Sequence, residues 1–102
     1  MTGARRLLLS PLAEQDLVEI GGFIAADNPH RAQTFILELH DFMMRIASSP
    51  YIGRPRNALR KGLRSVPFVG YSYSIYYRVL PRREGIKVER VLHGARDLSR
   101  LF

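Results

Sequence analysis

The 102-residue chain contains no cysteine. That excludes a disulfide framework, thiolate metal ligands and a cysteine nucleophile, and it suits a reducing cytosol, so a cytoplasmic protein is expected. No apolar run approaches the ~20 residues that span a bilayer. Leu7-Leu8-Leu9 follows the basic pair Arg5-Arg6, but a signal-peptide core needs about 7–15 apolar residues. No membrane partner is therefore expected. Internal repeats and low-complexity tracts are absent. His30 and His40 do not recur at metal-ligand spacing with a third ligand, so neither a metal nor another cofactor is expected. Acidic residues are scarce in one half only. Residues 1–48 carry four basic and six acidic groups, whereas residues 49–102 carry twelve and three, and the whole chain has a net charge of +7. Such a basic half attracts an anionic partner, either nucleic acid or an acidic protein segment. The length predicts one domain over residues 1–102, and the 46% hydrophobic content gives it a modest core.

Leu7 to Leu9 is a short strand candidate. Ser10-Pro11 then reads as a helix start, with a capping hydroxyl and a proline at the first helical position. Glu14 and Asp16 lie toward the positive end of that helix dipole. Ala13, Leu17, Ile20 and Ile24 recur at helical spacing. Gly21 and Gly22 weaken the helix but permit a close helix–helix approach. Asn28-Pro29 caps a second helix, predicted from about Pro29 to Ser48, with Ala32, Phe35, Ile36, Leu39, Phe42, Met43 and Ile46 as its apolar stripe. So short a connection makes the two helices an antiparallel hairpin. Ser49 to Leu59 reads as a loop.

The period then changes to two. A strand is expected near Leu63 to Val69, with Pro67 at an edge or bulge. Another carries Tyr71, Tyr73, Ile75, Tyr77 and Val79 on one face. A last strand runs from Ile86 to Leu92. Its apolar frame slips between Val88 and Val91, which predicts a bulge or burial on both faces. The expected fold is α+β in two layers: an N-terminal strand, the helix hairpin, then a three-stranded antiparallel sheet.

Several pieces now fall in order. They are Leu9-Ser10-Pro11-Leu12-Ala13-Glu14-Gln15-Asp16-Leu17, Asp27-Asn28-Pro29 with Ala32, Ser49-Pro50-Tyr51-Ile52-Gly53-Arg54-Pro55, Gly62-Leu63-Arg64, Tyr76-Tyr77-Arg78-Val79, and Arg90-Val91-Leu92-His93-Gly94-Ala95-Arg96-Asp97. In order and spacing they resemble the ParE branch of the RelE/ParE toxin superfamily, over about Leu7 to Leu98. The resemblance implies a toxin held inactive by a cognate ParD-like antitoxin whose flexible tail wraps over it. It also implies DNA gyrase as target, because ParE-type members are associated with poisoning gyrase. RelE-type members instead cleave messenger RNA in the ribosome. A third alternative is an inactive scaffold that serves only as an antitoxin partner.

Arg64, Arg78, His93 and Arg96 are the candidate catalytic residues of the ribonuclease reading, which needs a group to move protons and cations to hold the phosphorane charge. The competing reading makes His93 and Arg96 a strand-end cap. The sequence offers His93 but no identifiable second acid–base group, which makes the evidence for catalysis weak. Arg56, Arg60, Lys61 and Arg64 are the expected contacts for an acidic antitoxin tail; sequence-specific DNA binding by the chain alone is not expected. Leu17, Ile20 and Ile24 are the expected apolar contact for an antitoxin helix, followed by an added strand. Tyr71, Tyr73 and Tyr77 are expected in the core and Tyr76 against a partner. Arg96, Leu101 and Phe102 are the expected target contacts, unless Leu98, Leu101 and Phe102 fold back onto the core.

Overall fold

The computed structural model describes residues 5–68, 70, 72–94 and 98–102. The expected helix starts are both formed. The Ser10 hydroxyl accepts from the Ala13 N–H at 3.0 Å and opens α1 (Pro11–Ala25). The Asn28 side chain accepts from the Arg31 N–H at 3.0 Å and opens α2 (Pro29–Ser48). Gly21 faces α2, where an added Cβ would lie 3.8 Å from Ile36, so the small residue does permit a close approach.

The strands are β1 (Arg6–Leu9), β2 (Arg54–Pro55), β3 (Leu63–Pro67), β4 (Tyr73–Val79) and β5 (Gly85–His93). They form one five-stranded sheet in the order β1-β5-β4-β3-β2. The expected antiparallel β3-β4-β5 unit is present, but a three-stranded sheet is too small a description. β1 joins as a parallel edge on β5, with Leu7 opposite Ile86 and Leu9 opposite Val88. β2 lies in the stretch expected to be a loop, pairing Arg54 with Ser65 and Pro55 with Arg64. Beyond that pairing, Val66 and Pro67 have no outer strand among the described residues, which is where a proline without an N–H costs nothing. Val69 and Tyr71 lie outside the described residues.

The frame slip in β5 is a bulge. Tyr76 faces Arg90 while Tyr77 faces Val88, so Glu89 is left without a partner. The extra residue returns Val91 to the face already occupied by Ile86 and Val88. That face packs against Ala13, Ile20, Phe35, Leu39, Met43 and Ile46 of the helices in the main core. The N-cap of α1 and one side chain within the helix hold the bulge. The Ser10 hydroxyl donates to the Glu89 carbonyl at 2.7 Å, and Asp16 accepts from the Val91 N–H at 3.0 Å.

The far face of the sheet carries a smaller apolar cluster of its own. Leu63, Tyr76 and Leu92 form a second buried cluster, and Leu59, Leu98, Leu101 and Phe102 pack on it. Tyr76 is 4% exposed and its ring centroid lies 5.2 Å from that of Phe102, so Tyr76 is core rather than a partner contact.

Tyr77 ties the segment after α2 to the sheet. Its buried hydroxyl donates to the Pro50 carbonyl at 2.7 Å and accepts from the Gly53 N–H at 2.8 Å. Burial pushes its pKa above the ordinary tyrosine value of 10.0, against opposing contributions from the Gly53 hydrogen bond and Arg64. Tyr77→Phe should cost roughly 2–3 kcal/mol, because a buried donor and a buried acceptor both lose their partner. The pH dependence has a definite sign. A pKa raised by folding contributes stability that is complete below pH 10.0 and lost as pH rises toward the higher folded value. Chemical denaturation at rising pH should therefore show the native protein losing stability above pH 10.0 more steeply than Tyr77→Phe. Equal slopes would contradict this account of the hydroxyl.

Candidate partner-binding surfaces

Of the residues proposed for catalysis, the three that the structure describes do not converge. Arg64 lies opposite Tyr77, on the helix-facing side of the sheet. It is committed to the loop before β2, donating to the carbonyls of Gly53 at 2.7 Å and Tyr51 at 3.3 Å. Arg78 follows Tyr77 on β4 and so points to the far side, where it meets Glu89 at 3.4 Å. His93 pairs with Tyr73 at the other end of β4, and its ring lies edge-on to the Tyr73 ring at 5.6 Å. Tyr73 and Arg78 are five residue steps apart along the strand, about 17 Å at the usual rise. Arg96 lies outside the described residues. No group of three potential metal ligands occurs among the described residues.

The apolar contacts expected on α1 are turned largely inward, although Ile20 and Ile24 also line two hollows. Ile20 is buried, and Leu17 and Ile24 are half-buried against the main core. Their helical frame faces the sheet, so the exposed large apolar residues of the hairpin are those out of that frame: Leu12 at 52%, Val18 at 74%, Phe23 at 78% and Leu37 at 66%. Phe23 borders a hollow of about 510 Å³ lined with Ile24, Arg31, Phe35, Ser72, Tyr73 and His93. A smaller hollow beside it, about 160 Å³, reaches Asp16, Glu19, Val91 and Leu92. β1 ends at Leu9 opposite Val88, so the groove follows the part of β5 that β1 leaves uncovered.

Asp16, at the edge of the smaller hollow, belongs to an ion pair whose partner no local sequence pattern reveals. Arg90 donates to both oxygens of Asp16 at 2.9 Å, with side chains only 13% and 10% exposed. The same carboxylate takes the Val91 N–H. The hydrogen bonds to Asp16 hold the Arg90 pKa above its ordinary value, outweighing the opposing desolvation. The signal was position: Asp16 lies in the inward frame of Ala13 and Ile20, a poor place for a solvated charge.

The basic segment before the sheet has structural work as well as charge. Arg56 lies over the Tyr76 ring at 5.8 Å and Arg60 over the Phe102 ring at 5.6 Å, while Lys61 is exposed. Leu101 and Phe102 are not a free anchor. Both are half-buried on the far-face cluster, as the folding-back alternative requires.

Comparison with known proteins decides the family. The sequence model for the "ParE toxin of type II toxin-antitoxin system, parDE" matches residues 7–98. The chain belongs to the ParE toxin family. Toxin ParE1 of Mycobacterium tuberculosis, from strain CDC 1551 / Oshkosh, is 36% identical over 97 residues, covering 93% of this chain and 95% of that protein. The same protein from strain ATCC 25618 / H37Rv matches equally. Among solved structures, a chain of the "Chromosomal ParDE TA system from P. aeruginosa" superposes with a TM-score of 0.73, covering 88% of this chain and 96% of that one. At 18% identity this likeness concerns the fold. Among the described residues of this ParE-family chain, no helix is long and apolar enough to cross a membrane.

Proposed function

We propose that this ParE-family chain is neutralised by a ParD-like antitoxin seated in the groove at the His93 end of the sheet, and that the released toxin acts by binding and inhibiting DNA gyrase. The observation that carries the docking reading is Phe23, 78% exposed at the lip of an apolar hollow beside an uncovered stretch of β5. A groove next to a strand edge fits a peptide that enters as an amphipathic helix and continues as an added strand. The solved relative from P. aeruginosa is described as a toxin–antitoxin system, which supports a partner of this kind.

Binding rather than catalysis is favoured by the dispersal of the catalytic candidates. Proton transfer requires an acid or base within hydrogen-bond reach of the reacting group. His93 lies at one end of β4 and Arg78 near the other, with Arg64 spent on backbone carbonyls. The target contact is assigned to the exposed remainder of Leu101 and Phe102 with Arg60 stacked beside them, together with Arg96.

Phe23→Asp should leave the melting temperature unchanged, because the side chain is exposed, yet weaken the antitoxin complex ~30-fold or more, the effect of losing one central apolar anchor. Titration calorimetry and thermal melts measure both quantities. Unchanged affinity, or an antitoxin confined to the loop at Arg56 in a structure of the complex, would remove the groove from this account. Induction of the chain alone tests the activity. Impaired supercoiling or double-strand breaks with intact messages support the gyrase reading; codon-positioned cuts support the RelE-type ribonuclease; normal growth with both intact supports an inactive scaffold.

A further inference from the structure

Nine cations and no carboxylate occur between Asp41 and Glu84. Part of this charge meets the start of the chain at the β4–β5 hairpin tip. The Arg5 guanidinium donates to the Arg83 carbonyl at 2.7 Å, and Arg6 lies 3.7 Å from Glu84. Arg64 and Arg83 both lie over the Tyr51 ring, at 5.0 and 5.3 Å. Arg82 completes a group of five guanidinium groups with Glu84 as the nearby acid. Mutual repulsion in such a group opposes folding, so its persistence calls for a reason.

The backbone sharpens the point. Arg82 and Arg83 have φ of +60° and +57°, the left-handed region that turns usually fill with glycine or asparagine. A Cβ there costs about 1 kcal/mol or more per residue. The two least comfortable positions of the hairpin thus carry long, exposed cationic side chains. The Tyr51 ring holds Arg83 in place without neutralising it, since stacking leaves the edge of a guanidinium open to a bidentate acceptor.

We infer that the Arg82–Arg83 hairpin tip, with Arg5 beside it and the Tyr51 ring beneath Arg83, is a sequence-independent binding site for the phosphodiester backbone of a nucleic acid. A planar, doubly donating cation suits a phosphate, and several at one convex tip suit a row of them. An acidic peptide would meet the same charge. It is the weaker reading, because the apolar groove that fits a peptide lies at the other end of the sheet, by His93. The site stands independently of the gyrase reading.

The decisive variant is the double substitution Arg82→Asn and Arg83→Gly. It removes two cations and relieves the backbone, so a loss of binding cannot be confused with misfolding. Fluorescence anisotropy of the full chain against labelled duplex DNA, single-stranded DNA and RNA is measured over a salt series, with polyglutamate as a separate ligand and thermal melts alongside. The variant is expected to melt at the same or a higher temperature. It should bind nucleic acid at least ~10-fold more weakly, with a salt slope shallower by about two, as for two lost phosphate contacts. The DNA and RNA arms identify which backbone is preferred. A control double substitution, Arg45→Gln and Lys87→Gln, removes equal charge elsewhere and should weaken binding less. Equal losses in both doubles, unchanged binding in the first, or a loss confined to polyglutamate would each overturn the proposal.

Discussion

Gly85→Ala should lower the melting temperature by roughly 12–24 °C, the shift that ~3 kcal/mol produces in a domain of this size. Gly85 opens β5 at φ +140°, a conformation L side chains rarely adopt, and it sits directly opposite Arg6 of β1. An added Cβ would overlap the Arg6 carbonyl oxygen and lie 2.6 and 2.7 Å from its backbone N and C. Backbone atoms cannot swing aside as a side-chain tip can. β1 would have to shift, taking Leu7 and Leu9 off the main core and breaking the Arg6 N–H to Glu84 carbonyl bond of 2.7 Å. Strain of about 1–3 kcal/mol adds to that loss. Gly22→Ala is the internal control: a Cβ there meets nothing within 4 Å and removes a helix-weakening glycine, so it should stabilise by up to ~1 kcal/mol. Circular-dichroism melts of both variants check the pair. A shift below about 4 °C for Gly85→Ala would mean that β1 is not held as described.

Asp16→Ala should cost about 3–5 kcal/mol, the usual loss when one partner of a buried ion pair is removed. The Arg90 guanidinium would remain in a largely buried position without its carboxylate, and the Val91 N–H would lose its acceptor. Asp16→Asn separates the two contributions, since an amide oxygen still serves Val91 while the charge is gone. It should lie between the native protein and Asp16→Ala. A double-mutant cycle with Arg90→Ala should show a coupling well above the ~0–1 kcal/mol of an exposed pair. The damage should reach the groove too, because Asp16 and Val91 line it. Urea denaturation of the four proteins measures the cycle, and a coupling near zero would make the pair an ornament of the fold.

The parts legible in the sequence are those decided locally. Ser10-Pro11 and Asn28-Pro29 mark both helix starts because a short side chain satisfies amides three residues away. The alternation of β4 and the frame slip between Val88 and Val91 likewise predict a strand and a bulge. The missed features depend on residues far apart in the chain. Nothing near Leu7 to Leu9 says that β5 will be its parallel neighbour, and two residues of β2 carry no period at all. Asp16 looked like a helix-dipole partner because its own partner lies on the last strand. Leu101 and Phe102 looked exposed because the cluster that receives them is assembled from β3, β4 and β5. Arg82-Arg83-Glu84 is visible in the sequence as a run of charge, but the left-handed conformation of its arginines is a property of the backbone, which composition does not reveal.

The gyrase reading is tested most directly by purified components. Relaxed plasmid, gyrase and ATP are incubated with increasing amounts of this chain, with and without its antitoxin, and the topoisomers are resolved on a gel. Concentration-dependent loss of supercoiling or trapped cleavage complexes, relieved by the antitoxin and retained in a stably folded His93→Ala protein, is the predicted result. Full supercoiling at every concentration, from a folded chain whose induction cuts messages and whose toxicity vanishes in His93→Ala, would contradict it.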